Sequence, residues 1–336
     1  MLQLKIEAIK WETHDTATFF FNEISGRKVS YKAGQFITLV FTHHNEEIRR
    51  SYSLSSSPDE ELPAITVKRI TNGEISRFML SKLKPGDIIS AVEPAGRFTI
   101  NDFTSPKDIF LFAAGSGVTP IFAQLKYALA RAGSSRFILI NSDQNHSSVL
   151  FKEQLDALAH ANPERLKIIR LLSSEGNRLN NLAVEQLVKQ NLHSDFNKAE
   201  FYICGPFAYM RMVRLSLLTM GIEQAHIRKE NFVTETIPVQ PVRGNFAPRN
   251  IKINFGGEMY DITVGENQSI LEAALQNNIW LPYSCRAGIC STCMAKCKVG
   301  RVEMTENDVL TDSDLAEGWV LTCTGHPLEE DVMIEF

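Results

Sequence analysis

The sequence predicts a multi-domain protein: an antiparallel β-barrel, then a doubly wound α/β domain, then a smaller α+β unit built around a cysteine-rich loop. Three observations predict it. Up to about residue 100, short β-branched runs alternate with turn signals. From about residue 107, strand-like and helical patterns alternate. Near the C-terminus three thiols fall within residues 285–293, CRAGICSTC. A chain of 336 residues has room for two or three domains, each able to bury a core of its own.

The barrel reading rests on the runs 35–41 (QFITLVF), 64–67 (AITV) and 88–92 (IISAV). Lys32-Ala33-Gly34, Pro58-Asp59, Asn72-Gly73 and residues 84–87 (KPGD) supply the turns between them. One short helix is expected over 76–83. The α/β part reads as strands 109–114, 136–140, 166–172 and 200–204, with helices 120–131, 149–160, 182–190 and 206–220. Residues 233–249 hold three prolines and no periodicity, and are expected to be an exposed linker. The last unit opens with strands 251–255 and 259–264 around a Gly256-Gly257 turn, followed by a helix over 269–277.

Composition narrows the function. Apolar residues make up 44% and charged residues 22%, as in soluble globular proteins, and the formal charge of −4 argues against nucleic acid or an anionic membrane as partner. The N-terminal MLQLKIEAIKWETHD has no sustained apolar core, and no apolar run is long enough to span a bilayer. The expected location is cytoplasmic. Disulfides are rare there, and clustered cysteines signal metal or redox chemistry.

Cys285, Cys290 and Cys293 follow C-x4-C-x2-C, and Cys323 lies 29 residues beyond. That is the spacing of plant-type [2Fe–2S] centres. The small residues Ala287, Gly288, Ser291 and Thr292 let backbone N–H groups approach the sulfurs. Zinc held by these three and Cys297 is the alternative, weakened by the presence of a single clean C-x2-C. A disulfide is the third reading.

Upstream, Arg50-Ser51-Tyr52-Ser53 combines a guanidinium fork for a phosphate, a flat ring and a hydroxyl. Gly73 and Ser76 open the expected short helix, whose N-terminus suits a phosphate; taken alone, Asn72-Gly73 is a hairpin turn. Gly115, Gly117, Thr119 and Pro120 lie between a strand and a helix, where glycines allow close approach to phosphates; taken alone they are a tight turn. Cys204-Gly205-Pro206 ends a later strand, and by itself is a buried Cys before a helix start.

Together these segments resemble the ferredoxin–NADP reductase superfamily, and "LPYSCRAGICSTC" with "LTCTGHP" resembles a plant-type ferredoxin domain. The resemblance covers nearly the whole chain. It implies a flavin-binding β-barrel over 1–103, a nicotinamide-binding α/β domain over 104–233, a linker over 234–249 and a [2Fe–2S] ferredoxin domain of the α+β, β-grasp type over 250–336. It implies Arg50 on the flavin pyrophosphate, Tyr52 against the ring system, Ser53 near the flavin N5, and Gly73 and Ser76 at a phosphate. Pro94-x-Gly96-x-Phe98 matches the family's exit from the barrel. The resemblance places Gly115, Gly117, Thr119 and Pro120 at the nicotinamide nucleotide's pyrophosphate. Cys204, Gly205 and Pro206 fall where nicotinamide meets flavin, with Glu230 near the reaction centre and Phe232 shielding the flavin. The cluster ligands are then Cys285, Cys290, Cys293 and Cys323, and Cys297 is a small buried residue.

FAD is favoured over FMN. The substrate is NADH or NADPH: the Arg of the Ser-Arg-Glu carried by many NADPH-using relatives is missing at Ser173-Ser174-Glu175. Arg178 is a possible substitute, and Asp143 follows the second strand; the balance tips to NADH. The domain order resembles the reductases of oxygenases, those of phenylacetyl-CoA epoxidase among them, which implies a non-haem iron oxygenase as electron acceptor. A hybrid-cluster protein or another redox protein is the alternative acceptor. A zinc-stapled adaptor or a redox sensor remains as a reading of another class.

Overall fold

The structure is a computed structural model and describes residues 1–43, 46–193, 196–232 and 245–336. It divides into two compact units, Met1–Thr234 and Glu235–Phe336.

The first unit begins with β1 (Leu2–Thr13) and β2 (Thr16–Glu23). Then come β3 (Phe36–His43), β4 (Glu46–Ser53), β5 (Ala64–Lys68), α1 (Glu74–Lys82) and β6 (Ile88–Ala95). The strands form one antiparallel sheet in the order β4-β3-β6-β1-β2-β5. A bridge between Leu54 and Ile65 joins its two edges and closes the barrel. Alternate residues of β1, among them Leu2, Leu4 and Ile6, point inward with Phe19, Phe21 and Leu39. The Asn72-Gly73 turn does not make a hairpin: Gly73 precedes α1 directly in extended backbone.

The α/β half follows. Its parallel sheet holds β7 (Asp108–Ala114), β8 (Arg136–Asp143), β9 (Leu166–Leu172), β10 (Glu200–Cys204) and β11 (Ile227–Glu230). The connecting helices are α2 (Val118–Leu129), α3 (Lys152–Ala161), α4 (Asn181–Asn191) and α5 (Phe207–Thr219). The strand order β11-β10-β7-β8-β9 puts the topological switch between β7 and β10, where α/β sheets bind ligands. Helix α3 starts later than the apolar run at 149–151 predicts. Phe151 sits in left-handed backbone (φ 55°) and stacks on Phe122, with centroids 4.3 Å apart, so that run buries itself before the helix begins.

Barrel and α/β half meet along a seam. At its centre Phe98 packs edge-on against Tyr202, with centroids 5.5 Å apart, and the Gln124 side-chain amide donates to the Phe98 carbonyl. At its rim Arg131 forks onto both carboxylate oxygens of Asp59 (2.5 and 2.8 Å), and Lys126 pairs with Glu60.

The second unit holds β12 (Arg249–Phe255), β13 (Glu258–Val264), α6 (Ile270–Gln276), β14 (Met294–Val299) and β15 (Val302–Met304). It continues through α7 (Asp312–Ala316), β16 (Trp319–Leu321), β17 (Gly325–Pro327) and β18 (Val332–Glu335). The main sheet runs β13-β12-β18-β14-β16, with β12 and β18 parallel, and α6 packs on the shared core. A Ser269–Glu272 capping box starts α6. The expected linker lies at 233–244 outside the described residues. In its remaining part Asn245, Ala247 and Pro248 are exposed as expected, but Phe246 is buried in a stack on His326, with centroids 4.2 Å apart, and Arg249 already belongs to β12.

Candidate functional site

Strand β4 carries Arg50, Tyr52 and Ser53 out of the barrel toward the 54–63 loop. Arg50 and Tyr52 are half-buried, and the Arg50 guanidinium donates to the Arg49 carbonyl (2.8 Å). Burial pushes the Tyr52 phenol well above its ordinary range. Ser53 is 5% exposed, and its Oγ has no hydrogen-bond partner among the described residues. A buried hydroxyl left unpaired costs free energy, and such groups call for a partner. A flavin edge would supply one. Ser76 differs: its Oγ accepts from the Ile70 N–H (3.1 Å) and donates to the Gly73 carbonyl (3.3 Å), so it closes the turn that aims α1.

At the sheet switch, the turn 115–117 rises from β7 and lies against the end of β10. A Cβ on Gly117 would fall 2.7 Å from the Gly205 amide nitrogen and closer still to the Cys204 carbonyl, so only glycine fits. Thr119 donates to the Ser116 carbonyl (2.8 Å), and Pro120 is buried in the first turn of α2; both shape the loop. Pro206 caps α5.

Parallel pairing sets Cys204 of β10 beside Glu230 of β11. Cys204 is fully buried, and burial, with the Glu230 carboxyl nearby, pushes its thiol up. Burial also pushes the Glu230 carboxyl up to about 8. Phe232, half-buried, packs on the α/β core.

A pocket of about 600 Å³ opens over the C-terminal ends of β7, β8, β9 and β10. Gly115, Asp143, Ser173, Arg178 and Pro206 line it; Ser174 and Glu175 do not, and Glu175 instead meets His146 (3.0 Å). Lys68 and Tyr209 are among the lining residues missed from the sequence. Lys68, the last residue of β5, reaches the pocket from the barrel and carries no local signal of that role. Tyr209, three positions after Pro206 in the first turn of α5, donates to the Ala113 carbonyl (3.2 Å).

In the second unit, the Cys285 thiol interacts with those of Cys290 and Cys323, which draw its pKa down. The Cys323 thiol meets Cys285 and Cys293 and is pushed up. Four thiols thus converge, and the Ala287 N–H points at Cys285 Sγ (3.4 Å). Gly288, at φ 70°, takes a shape that brings its carbonyl to the Asp308 N–H (3.0 Å). Among the described residues, no three His, Cys, Asp or Glu side chains are arranged for one metal ion. Four converging thiols match the donor set of a two-iron cluster. Cys297 is outside this set. It is half-buried on β14, with its thiol toward the Val299 and Gly300 carbonyls, and is less enclosed than the sequence predicts.

Three family models match in chain order: an oxidoreductase FAD-binding domain at 3–100, an oxidoreductase NAD-binding domain at 111–215 and a 2Fe-2S iron-sulfur cluster binding domain at 253–328. Over 346 residues the chain is 31% identical to the ferredoxin reductase component of 3-ketosteroid-9-alpha-monooxygenase from Rhodococcus rhodochrous, covering 99% of this chain and 96% of that one. The chain belongs to the oxygenase reductase family. The reductase is also 30% identical over 350 residues to one of the subunits of 1,2-phenylacetyl-CoA epoxidase from Escherichia coli K12, covering 99% and 97% of the two chains. Its fold matches phthalate dioxygenase reductase with a TM-score of 0.61 at 22% identity, over 100% of this chain and 98% of that one. The reductase has an FAD-binding barrel, an NAD-binding α/β domain and a 2Fe–2S domain, and is an oxidoreductase that serves an oxygenase. Among the described residues, no helix is long and apolar enough to cross a membrane.

Proposed function

We propose that the reductase works in the cytoplasm, taking hydride from NADH or NADPH at the β7/β10 switch and delivering single electrons through the four-thiol loop to a non-haem iron oxygenase. The observation that carries this reading is the convergence of Cys285, Cys290, Cys293 and Cys323 in a chain that also holds the Gly117–Cys204 cradle. Bound FAD supplies the conversion of a two-electron donor into single electrons, and a bound [2Fe–2S] centre supplies their one-at-a-time delivery.

The residues do the positioning. Arg50 offers a guanidinium to the flavin pyrophosphate, and the N-terminus of α1, shaped by Gly73 and Ser76, offers backbone N–H groups to phosphate. Tyr52 lays its ring against the flavin, and the Ser53 hydroxyl meets its edge. Gly115 and Gly117, held by Thr119 and Pro120, let the nucleotide pyrophosphate approach the backbone. Cys204, Gly205 and Pro206 form the wall against which nicotinamide meets flavin. Phe232, packed on the α/β core, would shield the flavin face. Glu230, its carboxyl pushed up to about 8, is neutral at pH 7 in the main and keeps a negative charge away from the hydride path.

Spectroscopy and turnover test this together. The purified protein is expected to be brown-yellow, with flavin bands and a broad absorption to the red that bleaches with reduced nicotinamide. Cys323→Ser is expected to lose the red absorption and cytochrome c reduction while retaining flavin bleaching. A colourless protein with stoichiometric zinc would overturn the reading. Full cluster absorption in the Cys323 variant would remove that residue from the ligand set.

A further inference from the structure

We propose that Asp143 makes this reductase selective for NADH by accepting the adenosine ribose 2′-hydroxyl and repelling a 2′-phosphate. The inference rests on the pocket over β7–β10 being the nicotinamide-nucleotide site. Its geometry orients the nucleotide. The pyrophosphate belongs at Gly115, at the end of β7, and the nicotinamide at Cys204 on one side of that strand. The adenosine end then lies on the other side, over β8 and β9. Asp143 is the last residue of β8 and lines the pocket there, beside Ser173 at the end of β9. A carboxylate at this place takes a ribose diol and rejects a phosphate dianion.

The neighbouring cations do not reverse that preference. Lys68 faces Asp143 from the barrel and is shared with Asp15 (3.9 Å). Arg170 approaches from β9 and is paired with Asp156 (2.6 Å). The Asn141 side chain donates to the Asp143 carboxylate (3.0 Å), and the Tyr209 phenol stands near it from α5. Arg178 is the remaining cation on the pocket wall, and it lies exposed on the loop after β9. Burial raises the Asp143 carboxyl to about 7, with Lys68 and Arg170 pulling the other way. The charge that rejects a 2′-phosphate is therefore present above that pH and fades below it.

The test measures kcat/KM for NADH and NADPH with the FAD- and cluster-loaded enzyme, ferricyanide as acceptor, from about pH 6 to about pH 8. The native enzyme is expected to favour NADH by about tenfold or more at the upper end, with the ratio shrinking toward acid. Asp143→Asn is expected to bring the ratio near unity at every pH, chiefly by lowering KM for NADPH, and Asp143→Glu to restore it. A native preference for NADPH that Arg178→Ala abolishes would overturn the proposal, as would a ratio unmoved in Asp143→Asn. If neither nucleotide reduces the flavin, the reading of the pocket itself fails, which is a different result from lost discrimination.

Discussion

Replacing Ser53 with Ala is expected to move the flavin-free and flavin-loaded protein in opposite directions. The Ser53 Oγ is buried and has no partner among the described residues. Leaving a buried hydroxyl unpaired costs about 1–3 kcal/mol, and Ala removes the group with almost no change of shape. The flavin-free protein should gain about 1 kcal/mol, which raises the Tm of a unit this size by about 2–4 °C. With flavin bound, the same substitution deletes a hydrogen bond worth about 0.5–1.5 kcal/mol, and because the flavin-free state gains about 1 kcal/mol the two shifts add, so the flavin Kd should rise about 13- to 70-fold. Calorimetry of the deflavinated protein gives the first quantity, and fluorescence titration with FAD gives the second. If the variant melts lower without flavin and binds FAD as tightly as the native protein, Ser53 does not face the flavin.

Two further outcomes follow from the cradle. Gly117→Ala drives a methyl into the Cys204–Gly205 backbone, and repacking costs about 1–3 kcal/mol; KM for reduced nicotinamide should rise while the flavin and cluster spectra stay native. Steady-state kinetics beside absorption spectra checks this, and unchanged KM would separate that backbone contact from nucleotide binding. Glu230 supplies a pH signature in the flavin-free protein. Its folded carboxyl lies near 8, above the ordinary 4.5, so the folded state holds a proton that the unfolded chain releases. Stability is therefore full below about pH 4.5 and falls as pH rises through about 8, and Glu230→Gln should flatten that slope in denaturant titrations. A slope identical in the variant would show that the carboxyl titrates normally.

Much of the fold was legible because its signals are local. Alternating runs and turn residues announced the barrel, β–α alternation announced the parallel sheet, and cysteine spacing announced the cluster loop. What escaped depended on tertiary pairing. The short, charged β11 reads as surface, yet pairing with β10 sets Glu230 beside Cys204. Asn72-Gly73 is an ordinary turn signal, and only the α1 that follows gives it another use. Lys68 looks like the polar end of a strand; its place in the pocket over β7–β10 arises from the docking of the barrel on the α/β half. Within the motifs, residue type told the location but not the task. Thr119 and Ser76 spend their hydroxyls closing turns, whereas Ser53 alone of the three leaves its own unpaired.

The seam of the first unit has an ionic consequence. Its rim is fastened by Arg131–Asp59 and Lys126–Glu60, partly exposed pairs that added salt weakens, since the Debye length is about 8 Å at physiological ionic strength and shorter above it. Its centre is fastened by the Phe98–Tyr202 contact and the buried Gln124–Phe98 hydrogen bond, which salt hardly touches. The spacing between Ser53 and the β7/β10 cradle is thereby insulated from ionic strength. Reduction of the flavin should keep its rate across a salt series, so that any salt dependence of overall turnover reports on the encounter with the electron acceptor.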